Sequence, residues 1–507
     1  MINNKDSGTI LPSNLRTGQE IRIFYCKFRA ERNYINLGIV YGMRSINRKF
    51  PTMTTIYFDK QIFSYLFKSK EDKHRNLLQK IIENKKDFIF LYSDAHLHDL
   101  YQDSTTLKYE ELKFMKEIVD SNHLVYIYPC IQADYQEPLV GFTSLKPLED
   151  TTWVEDLDFE NPQGELESLV LNAIDIWVRD SYESLSPLWF FERIPIKTGS
   201  SNRKEVLHWI KDVNKNYFGR RDVYKSFRNN SIKVYNPYRK RANKFEEVDN
   251  IIKEYFPKSS FDEITNATLH QLGISAQYHP IKYMIEYNYL DSWGICPEKG
   301  KTVATRNMLI DSFHGFMASY CDILVCNDSN MRKKNQILYE RYNIDTQIYT
   351  LDEFIDKFDE AIANNKKTAK EYIDETIDDH TNGKTVKVET YNNTTCTHIQ
   401  TSHSYFGYFN QMVDMSSENG WAIILSKRNG LNQSLLFKEI EIIVNRISKV
   451  FSEIGYEYQP FCIETESEQL MEDKWVSRCW ETPNFIMRLD KIQGQASLCL
   501  IIYPLTN

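Results

Sequence analysis

No apolar run in this 507-residue chain approaches the ~18 residues of a membrane-spanning helix, so a helical membrane protein is not expected. The opening stretch, MINNKDSGTILPSNLRTGQE, lacks an apolar core, and no secretory signal is expected there. The nine cysteines include no CxxC pair, which removes the common zinc and dithiol motifs. Their odd number suits a reducing compartment, so the expected location is cytoplasmic. Glycine is scarce, 18 residues against 32 tyrosines and 28 phenylalanines, which argues against long flexible regions. Positive charge is not in excess: the net charge is −8, so the chain as a whole is no general polyanion binder and only local patches could serve that role. No internal repeat is present.

What is present suits globular folding. Apolar residues make up 42% of the chain and aromatics 13%. The length suits roughly three domains. In residues 20–147, apolar runs alternate with helical patterns. TTIYFD (54–59) and DFIFLYS (87–93) are continuous apolar runs of the kind that form strands buried on both faces. KHRNLLQKIIENKK and LKYEELKFMKEIVDSN have helical spacing, and HLVYIYP is a further strand. This β-α-β-α-β order predicts a parallel sheet. Residues 148–295 open on EDTTWVEDLDFENPQGELE, with eight acidic residues and no basic one, and continue as a mainly helical segment. Residues 296–365 return to alternating helices and strands, including DILVCND and TQIYT. A charged connector, KKTAKEYIDETIDDHTNGKTVK, leads to residues 385–507, which read as a separate α+β domain. Its expected strands are GWAIILS, EYQPFCIE and ASLCLIIYP, and its long helix is SLLFKEIEIIVNRISKVFSEI.

Two strands end on carboxylates, Asp59 and Asp328. In an open parallel sheet, ligands bind beyond the carboxyl ends of strands. Asp311 and His314 lie one turn apart on the helix DSFHGFMASYC that precedes the second of these strands. SDAHLHDL (93–100) follows another strand. Ser93 or Asp94 should cap the helix there, with Asp99 inside it. Carboxylates that converge repel one another, and a cation is the usual remedy. Hard oxygen donors favour Mg²⁺ or Mn²⁺ over Zn²⁺, and such an ion supports phosphodiester hydrolysis.

The set YFD … YSDAHLHDL … DSFHGFMASYCDILVCNDSNMRKK resembles the PIN-like nuclease domain. The resemblance spans about 50–130 and 300–360, under half of the chain. It implies an α/β/α sandwich on a parallel sheet, here split by the helical insertion, and metal-dependent RNA cleavage. It also implies Asp59, Asp99, Asp311 and Asp328 as metal ligands and catalytic residues. Ser93, His96, His314 and Asp322 would stand behind these ligands or face phosphate. Three features depart from the pattern: Cys326 where Thr or Ser is common, Asp99 where Glu is commoner, and roughly 170 residues between the two halves. A toxin or anti-phage role would fit a nuclease that is dangerous to its own cell.

Residues 211–244 carry eleven Lys and Arg against two Asp, interleaved with aromatics. Cations position phosphates and aromatics stack unpaired bases, so this segment is the expected surface for single-stranded nucleic acid. Its candidate residues are Arg220, Arg221, Lys225, Arg228, Arg239, Lys240 and Arg241. RNA is favoured over DNA by the resemblance alone. The last domain would serve regulation, homo-oligomerisation or a protein partner. Cys396, His398 and His403 match no zinc spacing. Two rival readings are a non-catalytic nucleic-acid-binding or scaffold protein and a haloacid-dehalogenase-like phosphatase. The latter needs a second Asp two residues after Asp59, where Gln61 stands.

Overall fold

The computed structural model describes residues 52–127, 130–145, 221–271, 280–298, 305–391, 393–418, 420–427, 436–472, 474–482, 485–491 and 498–504. The chain is α/β, with a six-stranded mixed sheet and a separate seven-stranded antiparallel sheet.

The first sheet is built from β1 (Thr55–Phe58), β2 (Ile89–Ser93), β3 (Asn122–Ile127), β4 (Cys130–Tyr135), β5 (Ile323–Val325) and β6 (Gln347–Tyr349), in the order β4-β3-β2-β1-β5-β6. All neighbours are parallel except β3 and β4, an added edge hairpin that the sequence pattern did not suggest. Ile56 pairs with Phe90 on one side and Ile323 on the other. Strands more than 260 residues apart in sequence are therefore direct neighbours.

The continuous apolar runs have the expected cause. Every residue of β1, β2 and β5 is buried, because helices cover both faces. Ile56, Phe58, Phe90 and Ile323 pack with Phe63, Leu112, Met115 and Phe354 on one side. Tyr57, Leu91 and Leu324 pack with Tyr283, Tyr287, Phe316 and Leu338 on the other. The second face is supplied by the helices Pro280–Ser292, Thr305–Ala318 and Ser329–Tyr342. The helices Arg221–Tyr235, Phe245–Tyr255 and Phe261–Gln271 belong to the same cluster. Gly315 lets two of these helices approach: a Cβ there would meet Asn335 Oδ1 at 2.2 Å. Tyr339 Oη also donates to the Gly315 carbonyl at 2.7 Å, fixing the helix beside His314.

The second sheet contains β7 (Lys384–Tyr391), β8 (Thr394–Gln400), β9 (Gln411–Ser417), β10 (Gly420–Ser426), β11 (Arg478–Glu481), β12 (Phe485–Lys491) and β13 (Leu498–Pro504). Their order is β11-β12-β13-β10-β9-β8-β7. The helix Leu436–Ser452 packs Ile440, Ile443, Ile447 and Val450 onto it. The charged connector is not a loop: it forms the helix Ala369–Asn382 and the edge strand β7. EYQPFCIE is not a strand. Pro460 lacks a ladder donor, Asn445 Oδ1 accepts the Phe461 N–H at 2.8 Å, and Ser448 Oγ donates to the Gln459 carbonyl at 2.8 Å. These contacts tie the segment to the long helix.

The antiparallel domain sits on the amino ends of the parallel strands. Thr54 Oγ1, just before β1, donates to the Gly407 carbonyl at 3.3 Å. Arg446 reaches the Asp87 carbonyl at 2.8 Å, just before β2. Lys438 bonds Asn122 at the start of β3. Lys427 lies 2.9 Å from Asp322, just before β5, and 2.6 Å from Glu439. Asp322 also accepts the backbone N–H groups of Thr54 and Thr55 at 2.9 and 3.0 Å. Burial pushes its carboxyl up, but Lys427 and these donors outweigh burial and hold it below the usual carboxylate range.

A depressed carboxyl adds stability that is complete above its unfolded pKa of about 3.9 and is lost as pH falls through the lower folded value. Asp322→Asn should therefore be less stable than wild type at pH 6, with the gap closing toward pH 3. Urea unfolding midpoints across that range measure it; a gap independent of pH would contradict the Lys427 contact.

Candidate metal centre

Strand order reverses at β1, with β2 on one side and β5 on the other. At such a switch point the connections leave in opposite directions and open a crevice at the carboxyl end. Asp59 follows β1, and its N–H continues the ladder to the Val325 carbonyl at 2.9 Å. Asp99 lies on the helix Asp94–Tyr101, whose start is set by Ser93: its Oγ accepts the Ala95 N–H at 3.3 Å. His314 and Asp311 come from the helix Thr305–Ala318. Ligand atoms of Asp59, Asp99 and His314 all lie within 4.8 Å of one another.

A buried polar chain orients the imidazole. His314 Nε2 lies 3.0 Å from Asp99 Oδ2, and its Nδ1 lies 2.8 Å from Tyr57 Oη. Tyr57 Oη is 2.6 Å from Ser93 Oγ. His96 Nδ1 accepts the Ser93 N–H at 3.0 Å, so its proton belongs on Nε2, which donates to the Phe58 carbonyl at 2.6 Å. Burial, with His314 nearby, holds His96 well below its ordinary pKa and keeps it neutral. Tyr57, Ser93, His96 and His314 are all fully buried.

Burial is also the main force on the carboxylates. It pushes Asp59 up; His314 opposes this, while Asp99 and Asp328 add to it. The half-buried Asp311 is pushed well above the ordinary range, first by desolvation and then by Glu298, Asp99 and Asp59, with Lys334 opposing. Carboxyls raised by burial and mutual repulsion form a site short of positive charge, which suits a divalent cation. The buried Tyr287 hydroxyl has no hydrogen-bond partner among the described residues; the charges of Asp311, Glu298 and Asp328 act on it, and the Lys334 ammonium lies over its ring.

Of the residues expected at the site, Asp59, Asp99 and His314 converge, and Asp311 is their electrostatic neighbour. Ser93 is joined to His314 through Tyr57 Oη, and the His96 ring meets the His314 ring edge-on. Asp328 is exposed and caps the helix Ser329–Tyr342, its Oδ1 accepting the N–H groups of Asn330 and Met331 at 2.7 and 2.8 Å. Its charge still acts on Asp59. Asp322 is a correction: it lies at the opposite end of β5 and docks the antiparallel domain. Burial raises the pKa of the Cys326 thiol, and its Sγ lies 3.7 Å from Asp59 Oδ2, so a neutral donor faces the carboxylate.

Glu298, Lys334 and Tyr57 had not been singled out in the sequence. Lys334, fully buried, lies 2.8 Å from Glu298 Oε1 and 3.6 Å from Asp291, above the Tyr287 ring. The one available signal was the position of Lys334 at helical spacing from Met331 and Leu338, on the buried face of its helix; Glu298 sits in an unpatterned loop.

The basic segment divides. Arg220 lies outside the described residues. Arg221, Lys225 and Arg239 are exposed. Arg228 reaches the Glu298 carbonyl at 3.0 Å, and Arg241 the Gly294 carbonyl at 2.7 Å. Lys240 is paired with Glu254. Tyr224 is buried and Tyr235 stacks on Trp293, whereas Tyr238 is 75% exposed. A second acidic group, Asp378, Asp379 and His403, lies in the antiparallel domain. There Asp379 already accepts from Ser402 N–H, His403 N–H and Tyr405 Oη.

No protein-family model, curated protein or solved structure matches this chain.

Proposed function

We propose that the chain is a divalent-metal-dependent nuclease with a PIN-like core, acting on single-stranded nucleic acid and by preference on RNA. The observation that carries this reading is the convergence of Asp59, Asp99 and His314 at the switch point of a parallel sheet, with Asp311 coupled to them electrostatically. The residues suit Mg²⁺ or Mn²⁺: they offer at least two carboxylates and too few cations to neutralise them. A cation there supplies Lewis acidity for phosphodiester hydrolysis. Asp59 and Asp99 would hold it. Asp311, half-buried, would take the proton from the attacking water at its carboxylate. Lys334 holds Glu298, and the helices of the insertion form the wall behind both.

The test is cleavage of end-labelled single-stranded RNA and DNA by the full chain with Mn²⁺, Mg²⁺ or EDTA. Cleavage in metal and none in EDTA is expected; metal-independent cleavage, or none in any condition, contradicts the reading.

The exposed cations sharpen the binding prediction. Replacing Arg221, Lys225 and Arg239 with Ala should weaken binding of single-stranded RNA and flatten its log–log salt dependence by about 2, at ~0.7 per lost single-strand phosphate contact. Arg228→Ala and Arg241→Ala should instead lower stability, because their guanidiniums satisfy backbone carbonyls. Anisotropy titrations between about 50 and 200 mM salt separate the two groups.

A further inference from the structure

The ligand set constrains which ion is bound. We infer that His314 is a direct ligand through Nε2, and that this nitrogen selects a transition cation such as Mn²⁺ over Mg²⁺. The inference rests on the metal-dependent reading above.

Three observations carry it. First, the imidazole has one available nitrogen. Nδ1 is engaged by Tyr57 Oη at 2.8 Å, so Nε2 is the atom presented to the carboxylates. Second, the spacing is that of neighbouring ligands. Nε2 lies 3.0 Å from Asp99 Oδ2, and one ligand atom from each of His314, Asp99 and Asp59 falls within 4.8 Å of the others. Two adjacent ligands, each about 2.1 Å from one octahedral ion, are also roughly 3.0 Å apart. Third, the ring is already held as a ligating histidine is held, by a hydrogen bond to its other nitrogen. Tyr57 is in turn held by Ser93 at 2.6 Å, and all three side chains are fully buried. Without an ion, Nε2–H faces Asp99 and Tyr57 donates to Nδ1. With one, the proton moves to Nδ1 and is donated to the Tyr57 oxygen. The same heavy atoms serve both states without moving a side chain.

The buried Tyr287 hydroxyl has no hydrogen-bond partner among the described residues, and the charges of Asp311, Glu298 and Asp328 act on it. Mg²⁺ prefers an all-oxygen shell, whereas a mixed shell of carboxylate and imidazole favours first-row transition ions.

The experiment is pulsed electron paramagnetic resonance on the full chain with one equivalent of Mn²⁺. A ¹⁴N modulation from directly bound imidazole is expected. It should change to the ¹⁵N pattern when histidine is ¹⁵N-labelled, vanish in His314→Gln and persist in His403→Gln. The Mn²⁺-over-Mg²⁺ preference, measured by competition, should fall about tenfold or more in His314→Gln. Bound Mn²⁺ without nitrogen coupling in wild type would overturn the inference and leave the metal-dependent reading standing, with His314 only orienting Asp99. No Mn²⁺ binding at all would overturn both. If His314→Gln does not fold, labelling and competition on the wild-type chain still decide: an oxygen-only signal or a Mg²⁺ preference overturns the inference.

Discussion

Asp59→Asn should lower cleavage of single-stranded RNA by about 10³-fold or more, a loss of roughly 4 kcal/mol of transition-state stabilisation. Asn keeps the volume of the side chain and removes one charge from the switch point, where Asp59 stands with Asp99 and His314. RNA affinity should persist, because the exposed cations of the insertion are untouched. The empty protein should not be weakened. Burial, Asp99 and Asp328 all penalise the Asp59 charge in the fold, so a neutral side chain relieves that penalty and the metal-free melting temperature should match or exceed wild type. Higher stability with lost activity marks a site strained for function. Equal cleavage by Asp59→Asn and wild type would place the chemistry elsewhere.

Lys427→Met should produce the largest loss of stability. Its ammonium is buried between Asp322 and Glu439 and lies over the Tyr408 ring, 4.7 Å from the centroid. Removing it leaves two buried carboxylates without their cation, a defect that costs about 3–5 kcal/mol. Adding Glu439→Gln should recover part of that loss, because the neutral amide no longer needs a counter-charge. Chemical unfolding of the single and double variants measures both effects. A single-variant cost under about 1 kcal/mol would mean that the triad does not hold the two sheets together.

Burial explains what could be read from the sequence. β1, β2 and β5 are covered on both faces, so IYF, IFLYS and ILV are unbroken apolar runs that read as strands on sight. Asp59 and Asp99 were legible because each stands at a fixed offset from such a run. The strand β7 was not, because KTVKVETY mixes charged and polar residues with only two valines and a tyrosine on a largely exposed edge, where charge protects against unwanted pairing. Asp322 and Asp328 flank one three-residue strand, and the sequence alone places both near the site, Asp328 as a ligand and Asp322 behind it. Strand direction separates them: one end meets the docked domain and the other faces the crevice. Tyr57 reads as a core aromatic, and its role depends on a histidine 257 residues away. Glu298 and Lys334 meet across 36 residues of sequence, one in a loop and one on a helix, so no local pattern announces them.

Asp59, Asp99 and His314 should bind one divalent cation. Crystals of the full chain grown with Mn²⁺ and measured at a wavelength with Mn anomalous signal test it most directly. An anomalous peak within about 2.2 Å of both carboxylates and of His314 Nε2 is the predicted result. No peak among these residues at saturating Mn²⁺, or a peak only beside Asp378, Asp379 and His403, would contradict it.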